Sequence, residues 1–294
     1  MGFLVDHTTR VLVQGITGNF GRSQTKLMQS YATQIVAGVT PGKGGREAEG
    51  VPVFDSISEA IEKAGPIHAT VIYVPAPFAR AAVEEAAESL VPLIVVITEG
   101  IPLHDEMFLR QLTRSRNLWM IGPNCPGILV PGETSLGMIP PSSTSRGNVA
   151  VISRSGTLTF EITKVLTDEG IGQSVCVGIG GDRVIGRDFS DYLRLAEADP
   201  ETKIIVMVGE IGGDAEERAS LVIADEIAKP IIGLLVGRHA PRGKRMGHAG
   251  AMISGNTGTI ESKEQALTAA GVRLVPYLWE LPEAIRLLGL PMGG

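Results

Sequence analysis

Arg10-Val11-Leu12-Val13-Gln14-Gly15-Ile16-Thr17-Gly18-Asn19-Phe20-Gly21 is the stretch that decides the fold class. An apolar run that breaks at closely spaced glycines reads as a strand, a tight turn and the start of a helix. Glycines in such a turn let the backbone approach a phosphate at the helix N-terminus, so a nucleotide-like ligand is expected here. The spacing is G-x-x-G-x-x-G and departs from the dinucleotide pattern G-x-G-x-x-G, because Thr17 occupies the place of the second glycine.

Outward from this turn, apolar runs recur at residues 34–39, 69–74 and 93–98, with helical patterns such as 79–89 between them. A second series occupies residues 148–153, 174–179, 204–208, 231–236 and 273–276. This strand-helix alternation predicts two α/β domains built on parallel sheets. We expect a first domain over 1–125, a Pro-, Gly- and Ser-rich connector over 126–147 and a second domain over 148–294.

Composition supports this frame. The chain has 294 residues, is 44% hydrophobic and carries a net charge of −6 with its basic residues dispersed, which argues against nucleic acid as a partner. Its apolar runs are too short to span a bilayer, and no signal or transit pattern opens the chain, so a cytoplasmic location is expected. Cys125 and Cys176 stand far apart with no CxxC or Cys/His cluster, and no metal site is expected.

Three further stretches carry chemistry. At the end of the second strand, where a NAD-binding domain would place an acidic residue for the ribose hydroxyls, the chain has Val39-Thr40-Pro41-Gly42-Lys43-Gly44-Gly45. Lys43 could pair with a phosphate attached to the ribose, or be a solvated lysine in a turn. Residues 149–159 repeat the strand, small-residue turn and helix, and the hydroxyls of Ser153, Ser155 and Thr157 with the free amides there suit an anion. Ordinary helix capping is the competing role. Finally, Gly243-Lys244-Arg245-Met246-Gly247-His248-Ala249-Gly250-Ala251 sets a histidine among small residues, where its ring can meet a phosphoryl group. Glu210, after the strand 204–208, is the carboxylate expected to orient His248. There is no P-loop, since the approach at 237–245 has the wrong spacing and no Ser or Thr after Gly-Lys. A phosphate cradle and a phosphoryl acceptor without a nucleotide site imply a nucleotide brought by a partner subunit.

The stretches VLVQGITG, GVTPGKGG, VIYVPAPF, ITEGIP, IGPNCPG, VISRSGTLT, GIGGD, GEIGG and GKRMGHAGA together resemble the α subunit of succinyl-CoA synthetase, the ADP- or GDP-forming succinate–CoA ligase, over nearly the whole chain. The resemblance implies a Rossmann-like CoA-binding domain followed by a flavodoxin-like ligase domain. It also implies a β subunit of ATP-grasp fold, in an αβ or (αβ)₂ assembly, that brings ATP or GTP with Mg²⁺. Carried over by motif, His248 is the transient phosphohistidine and Glu210 its partner. Thr17, Gly18, Asn19, Phe20, Lys43, Ile97, Thr98 and Glu99 fall on CoA-binding positions, and Ser155, Gly156 and Thr157 on the phosphate-binding helix start. The substrate is a small carboxylic acid, with succinate expected, malate, citrate or sulfoacetate as alternatives, and a non-catalytic CoA-binding regulator as the rival from another class. The chain departs from the family pattern at Ser23-Gln24, at Ile139-Pro140-Pro141-Ser142, at Phe160 in place of Tyr and at Arg183 in place of Pro. Arg183, with Arg187 on the same face if the segment is helical, is expected near the acid's distal anionic group, with solvent exposure as the alternative.

Overall fold

The computed structural model describes residues 3–240, 247–253 and 258–290. The opening stretch forms β1 (Arg10–Gln14) and α1 (Asn19–Ser30). There follow β2 (Gln34–Val39), β3 (Glu47–Ala48), β4 (Val51–Phe54), α2 (Ile57–Ala64), β5 (Ala69–Ile72), α3 (Ala76–Glu88), β6 (Leu93–Val96), α4 (Leu103–Ser115) and β7 (Trp119–Ile121). These strands form one sheet in the order β3-β4-β2-β1-β5-β6-β7, parallel except for the edge strand β3. Counting the parallel strands alone, the order is the 3-2-1-4-5-6 of the Rossmann arrangement. Strands such as Leu93–Val96 are buried along their whole length because helices cover both faces, which is why they read as unbroken apolar runs. In α3 the buried residues Ala79, Ala82, Val83, Ala86 and Ala87 make the stripe that packs on the sheet.

The second sheet holds β8 (Gly127–Val130), β9 (Thr134–Gly137), β10 (Arg146–Ser153), β11 (Gln173–Gly178), β12 (Ile204–Glu210), β13 (Ile231–Val236) and β14 (Arg273–Val275). Its order is β14-β13-β12-β10-β11-β8-β9. The five parallel strands therefore follow the flavodoxin order 2-1-3-4-5, reversing direction between β10 and β12. Helices α5 (Gly156–Asp168), α6 (Phe189–Ala198), α7 (Ala215–Glu226), α8 (Ile260–Ala269) and α9 (Leu281–Arg286) complete it. Among the described residues no helix is long and apolar enough to cross a membrane.

The stretch 126–147, expected as a connector, is itself folded. It contains the β8–β9 hairpin, and β8 pairs antiparallel with β11, extending the second sheet. Its glycines serve close approach: a Cβ on Gly127 would lie 2.0 Å from the Leu136 carbonyl oxygen. The first domain grips this hairpin. Thr33 Oγ1 donates to the Ser135 carbonyl at 2.9 Å, Tyr73 Oη donates to that of Gly137 at 3.0 Å, and Tyr31 Oη accepts from Gly132 N at 2.7 Å. One apolar cluster runs through both sheets, from Val71 and Tyr73 to Ile128 and Val177. The strand ends also meet directly, with Gly181 N donating to the Asn124 carbonyl at 3.0 Å and Gly186 N to that of Gly122 at 2.9 Å.

Gly21 sets how closely α1 approaches β1, since a Cβ there would lie 2.3 Å from the Gly15 carbonyl oxygen, an atom the backbone cannot swing aside. Gly21→Ala is therefore expected to lower the unfolding free energy by about 1–3 kcal/mol. A urea titration checks this, and an unchanged midpoint would count against the close approach as the constraint on this turn.

Candidate active site

The first domain offers an anion cradle. Gly18 caps α1 without any side-chain bond to the helix amides, and no acidic residue occupies the first turn, so that turn's N–H groups remain available. The turn opens on a cavity of about 590 Å³ lined by Thr17, Gly18, Asn19, Phe20, Lys43 and Phe78, among others. Lys43 Nζ donates to Thr17 Oγ1 at 3.1 Å. Among the described residues no carboxylate lies within salt-bridge distance of that ammonium. Phe20 is half exposed and meets Tyr73 edge-to-face at 5.5 Å, so amides, a cation and aromatic surface share one hollow. Such a hollow suits a ligand with both phosphates and a planar ring.

In the second domain Glu210 ends β12, at the carboxyl edge where open α/β sheets bind ligands. Its carboxylate is buried. Oε2 takes His248 Nδ1 at 2.7 Å, and Oε1 accepts from Arg154 Nε at 3.1 Å. Its backbone N–H donates to Glu216 Oε1 at 3.0 Å, and Glu216 is in turn paired with the fully buried Lys263. His248 lies on the described loop 247–253, while Gly243 to Met246 of the same motif lie outside the described residues. The ring rests on Gly181, where a Cβ would come within 2.5 Å of Cγ, so only glycine leaves room for it. With Nδ1 engaged by Glu210, Nε2 is the nitrogen left for nucleophilic chemistry. The Glu210 hydrogen bond, opposed by burial and by the Arg154 charge, holds the imidazole above its ordinary 6.5.

A second cavity, of about 570 Å³, joins the two domains. His248, Gly156, Thr157 and Phe160 line it from one side, and Phe20, Ile97, Thr98 and Glu99 from the other. Phe20, Tyr73, Val74 and Pro75 line both this cavity and the cradle cavity beside Lys43. Cys125 lines it too, but burial pushes its thiol up to about 12, which leaves it a poor nucleophile near neutral pH. Ser155 turns out to be the N-cap of α5, its Oγ accepting from Leu158 N at 3.3 Å. Ser153 Oγ is likewise engaged, donating to the Ser155 carbonyl at 2.9 Å. The α5 end is thus left to present the amides of Gly156 and Thr157 to an anion, more than its serine hydroxyls.

Neither of the arginines expected near the acid lines the shared cavity. Residues 181–188 form bends and no helix, so Arg183 and Arg187 do not share a face. Arg183 is exposed, donates from Nε to the Ala249 carbonyl at 3.1 Å, and lines a separate hollow with Glu106. Arg187 stacks on Trp119 at 4.8 Å and donates to the Leu118 carbonyl. Sequence reasoning also passed over Arg154, Asn124, Glu106 and Lys263. Arg154 left a signal, as a charge immediately after an apolar strand. The others are isolated polar residues on helices or turns whose partners are far away in sequence. Among the described residues no group of three His, Cys, Asp or Glu side chains is placed to hold a metal ion.

Comparison with known proteins agrees with this geometry. Residues 6–100 match the CoA binding domain and residues 152–273 the CoA-ligase family model. The chain is 54% identical over 285 residues to a succinate–CoA ligase [ADP-forming] subunit alpha 2 of Archaeoglobus fulgidus, covering 97% of this chain and 99% of that one. The chain belongs to the succinate–CoA ligase α-subunit family. A Staphylococcus aureus member, named as the ADP-forming α subunit, is 49% identical over 273 residues, covering 93% of this chain and 90% of its own. In fold, the chain superposes on the ATP citrate lyase of Methanosaeta concilii, solved with (3S)-citryl-CoA, at a TM-score of 0.89 and 23% identity. It covers 97% of this chain and spans half of that longer one. As a member of this ligase family the chain is an enzyme subunit with a CoA-binding domain ahead of its ligase domain.

Because the folded imidazole titrates above the unfolded value of 6.5, its pair with Glu210 contributes stability that is complete below 6.5 and is lost as pH rises through the folded value. Glu210→Gln removes the leading cause. The His248 ring resonances, followed by NMR against pH, should then titrate lower than in the unaltered chain, and an unmoved midpoint would show that the 2.7 Å contact does not control the ring.

Proposed function

We propose that this chain is the catalytic α subunit of an ADP-forming acid–CoA ligase whose acid is succinate, with His248 as the phosphoryl carrier. The observation that carries this reading is the Glu210–His248 hydrogen bond at a cavity shared by both domains. Glu210 holds the proton of Nδ1, so Nε2 carries the lone pair that attacks the terminal phosphorus of the nucleotide, releasing the nucleoside diphosphate. The charged, phosphorylated ring is stabilised by Glu210, and the amides of Gly156 and Thr157 face the anion. A succinate carboxylate oxygen then takes the phosphoryl group, Nε2 departs with its electron pair, and an acyl phosphate results. The CoA thiol, giving up its proton, attacks the acyl carbon and expels phosphate. The first-domain cradle, with Lys43, Thr17, Gly18, Asn19 and Phe20, holds CoA, and Ile97, Thr98 and Glu99 lie where its thiol end would reach the shared cavity.

The names of the relatives support succinate and ADP as well as a β subunit, here taken to be of ATP-grasp fold and to bring nucleotide and Mg²⁺. That Arg183 and Arg187 do not line the shared cavity supports succinate over a more highly charged acid. The sheets support domains at 1–125 and 148–294, with 126–147 folded onto the second. Buried free Cys125 and Cys176 suit a reducing, cytoplasmic setting.

Replacing His248 by Asn should abolish net ligation in the assembled complex and remove acid-labile label from radioactive nucleotide, while CoA binding stays nearly intact because the cradle lies in the other domain. Substantial turnover in this variant would sink the phosphohistidine reading. Lys43→Ala should weaken CoA binding by about 1–3 kcal/mol and hardly affect dephospho-CoA, as a charge-assisted contact to the ribose phosphate requires. Calorimetry with both ligands decides, and equal losses would place Lys43 elsewhere.

A further inference from the structure

The turn beneath His248 is held from the first domain by one acidic side chain. Glu106, in the first turn of α4, is 3% exposed, and its Oε2 accepts from Val184 N at 3.2 Å. Beside it stands the carboxyl of Asp182, equally buried. Asp182 Oδ1 accepts from Asn124 Nδ2 at 3.0 Å, whereas its Oδ2 is buried without a donor. Two adjacent buried carboxylates do not both ionise at low cost, and an orphaned buried oxygen is costly. A single proton carried by Glu106 answers both problems, since it removes one charge and supplies the donor that Oδ2 lacks.

The same turn supports the histidine at four points. Gly181 lies under the ring, and its carbonyl accepts from Gly250 N at 3.2 Å. Arg183 Nε donates to the Ala249 carbonyl at 3.1 Å, and Arg154 Nη2 donates to that of Asp182 at 2.9 Å while its Nε holds Glu210. A shift of residues 181–184 would therefore move the ring and its partner together.

We propose that Glu106 is a positioning residue for His248: hydrogen-bonded to Asp182 through one shared proton, it seats the 181–184 turn, and with it the imidazole ring, from the first domain. The inference rests on the phosphohistidine reading for its functional meaning, although the seating itself can be observed without turnover. The charges facing Glu106 are Asp182 and Arg183, and behind Asp182 stand Arg154 and His248. On the other faces of α4, Asp105 pairs with Arg80 of α3 and Arg114 with Asp191, and Arg110 lies near Arg114, Asp188 and Arg218. Burial, reinforced by the Asp182 charge and opposed by Val184 N–H and Arg183, pushes Glu106 up to about 7. A carboxyl raised in this way stabilises the folded turn fully below its ordinary 4.5 and ceases to do so as pH climbs through about 7.

Hydrogen–deuterium exchange of the peptide covering residues 247–253, corrected for intrinsic rates, reads the seating in the full chain, alone and with its partner subunit. Protection should fall about fivefold between about pH 6 and pH 8 in the unaltered protein, as the shared proton leaves. Glu106→Gln keeps a donor for Asp182 Oδ2 and an acceptor for Val184 N but does not titrate, so it should keep the protection and lose the pH step. Glu106→Leu, of similar size, should exchange fast at every pH. The proposal is overturned if the unaltered protein shows no step, if the leucine variant stays protected, or if the glutamine variant keeps the step unchanged, since the titration would then belong to His248 and Glu210. Failure to label His248 with nucleotide would instead strike the phosphohistidine reading and leave these outcomes readable.

Discussion

The Glu210 carboxylate is the constraint on which the site depends. It is buried at the end of a central strand, and a charge in that position persists only if both oxygens are matched by donors. His248 and Arg154 supply them, and Glu216 with Lys263 fixes the backbone behind. The consequence is that an imidazole on a glycine-flanked loop has one ring nitrogen committed and the other available. A loop of small residues could not set that tautomer by itself. The strand end can, because the sheet holds the carboxylate rigidly.

That carboxylate would be of little use without the second domain edge opposite it. Both sheets present the carboxyl ends of their strands to a common region, and the contacts of Gly122 and Asn124 with Gly186 and Gly181 keep those ends together. The β8–β9 hairpin strengthens the arrangement, since it is part of the second sheet and yet bonded to Thr33, Tyr31 and Tyr73 of the first domain. The shared cavity is thus walled by elements that do not slide freely past one another. On the proposed function, a carrier histidine on one side and a cofactor cradle on the other suit a stepwise group transfer, because the intermediates stay within reach of the next reactant.

Buried charge is distributed unusually along this junction. Glu210, Arg154, Asp182, Glu106, Glu216 and Lys263 are each under a tenth exposed. Each is matched by a residue from a different element, so the network fixes the mutual position of strands, helices and loop in a way that apolar packing, being non-directional, would not. The unmatched atom in it, Asp182 Oδ2, marks the place where the protonation state of a neighbour matters.

What the sequence determined by itself was whatever depends on local period and local chemistry. The unbroken apolar runs announced parallel strands, the glycine turn at 15–21 announced a strand-to-helix turn, and the small residues around His248 announced a partly accessible ring. The pairing of Glu210 with His248 was legible too, because both lie at turns that the alternation of strands and helices sends to the same sheet edge. Tertiary structure alone decided the rest. The hairpin inside 126–147 was hidden because four-residue strands carry too little period, and its Pro and Gly residues read as linker while serving turns and close contacts. Ser155 became a cap, and Arg183 and Arg187 took separate partners, Ala249 and Trp119, because a bend took the place of the helix that would have aligned them. Arg154, Asn124, Glu106 and Lys263 gained their roles from partners between 28 and 78 residues away, some across two domains, and no local pattern encodes a contact made at that distance.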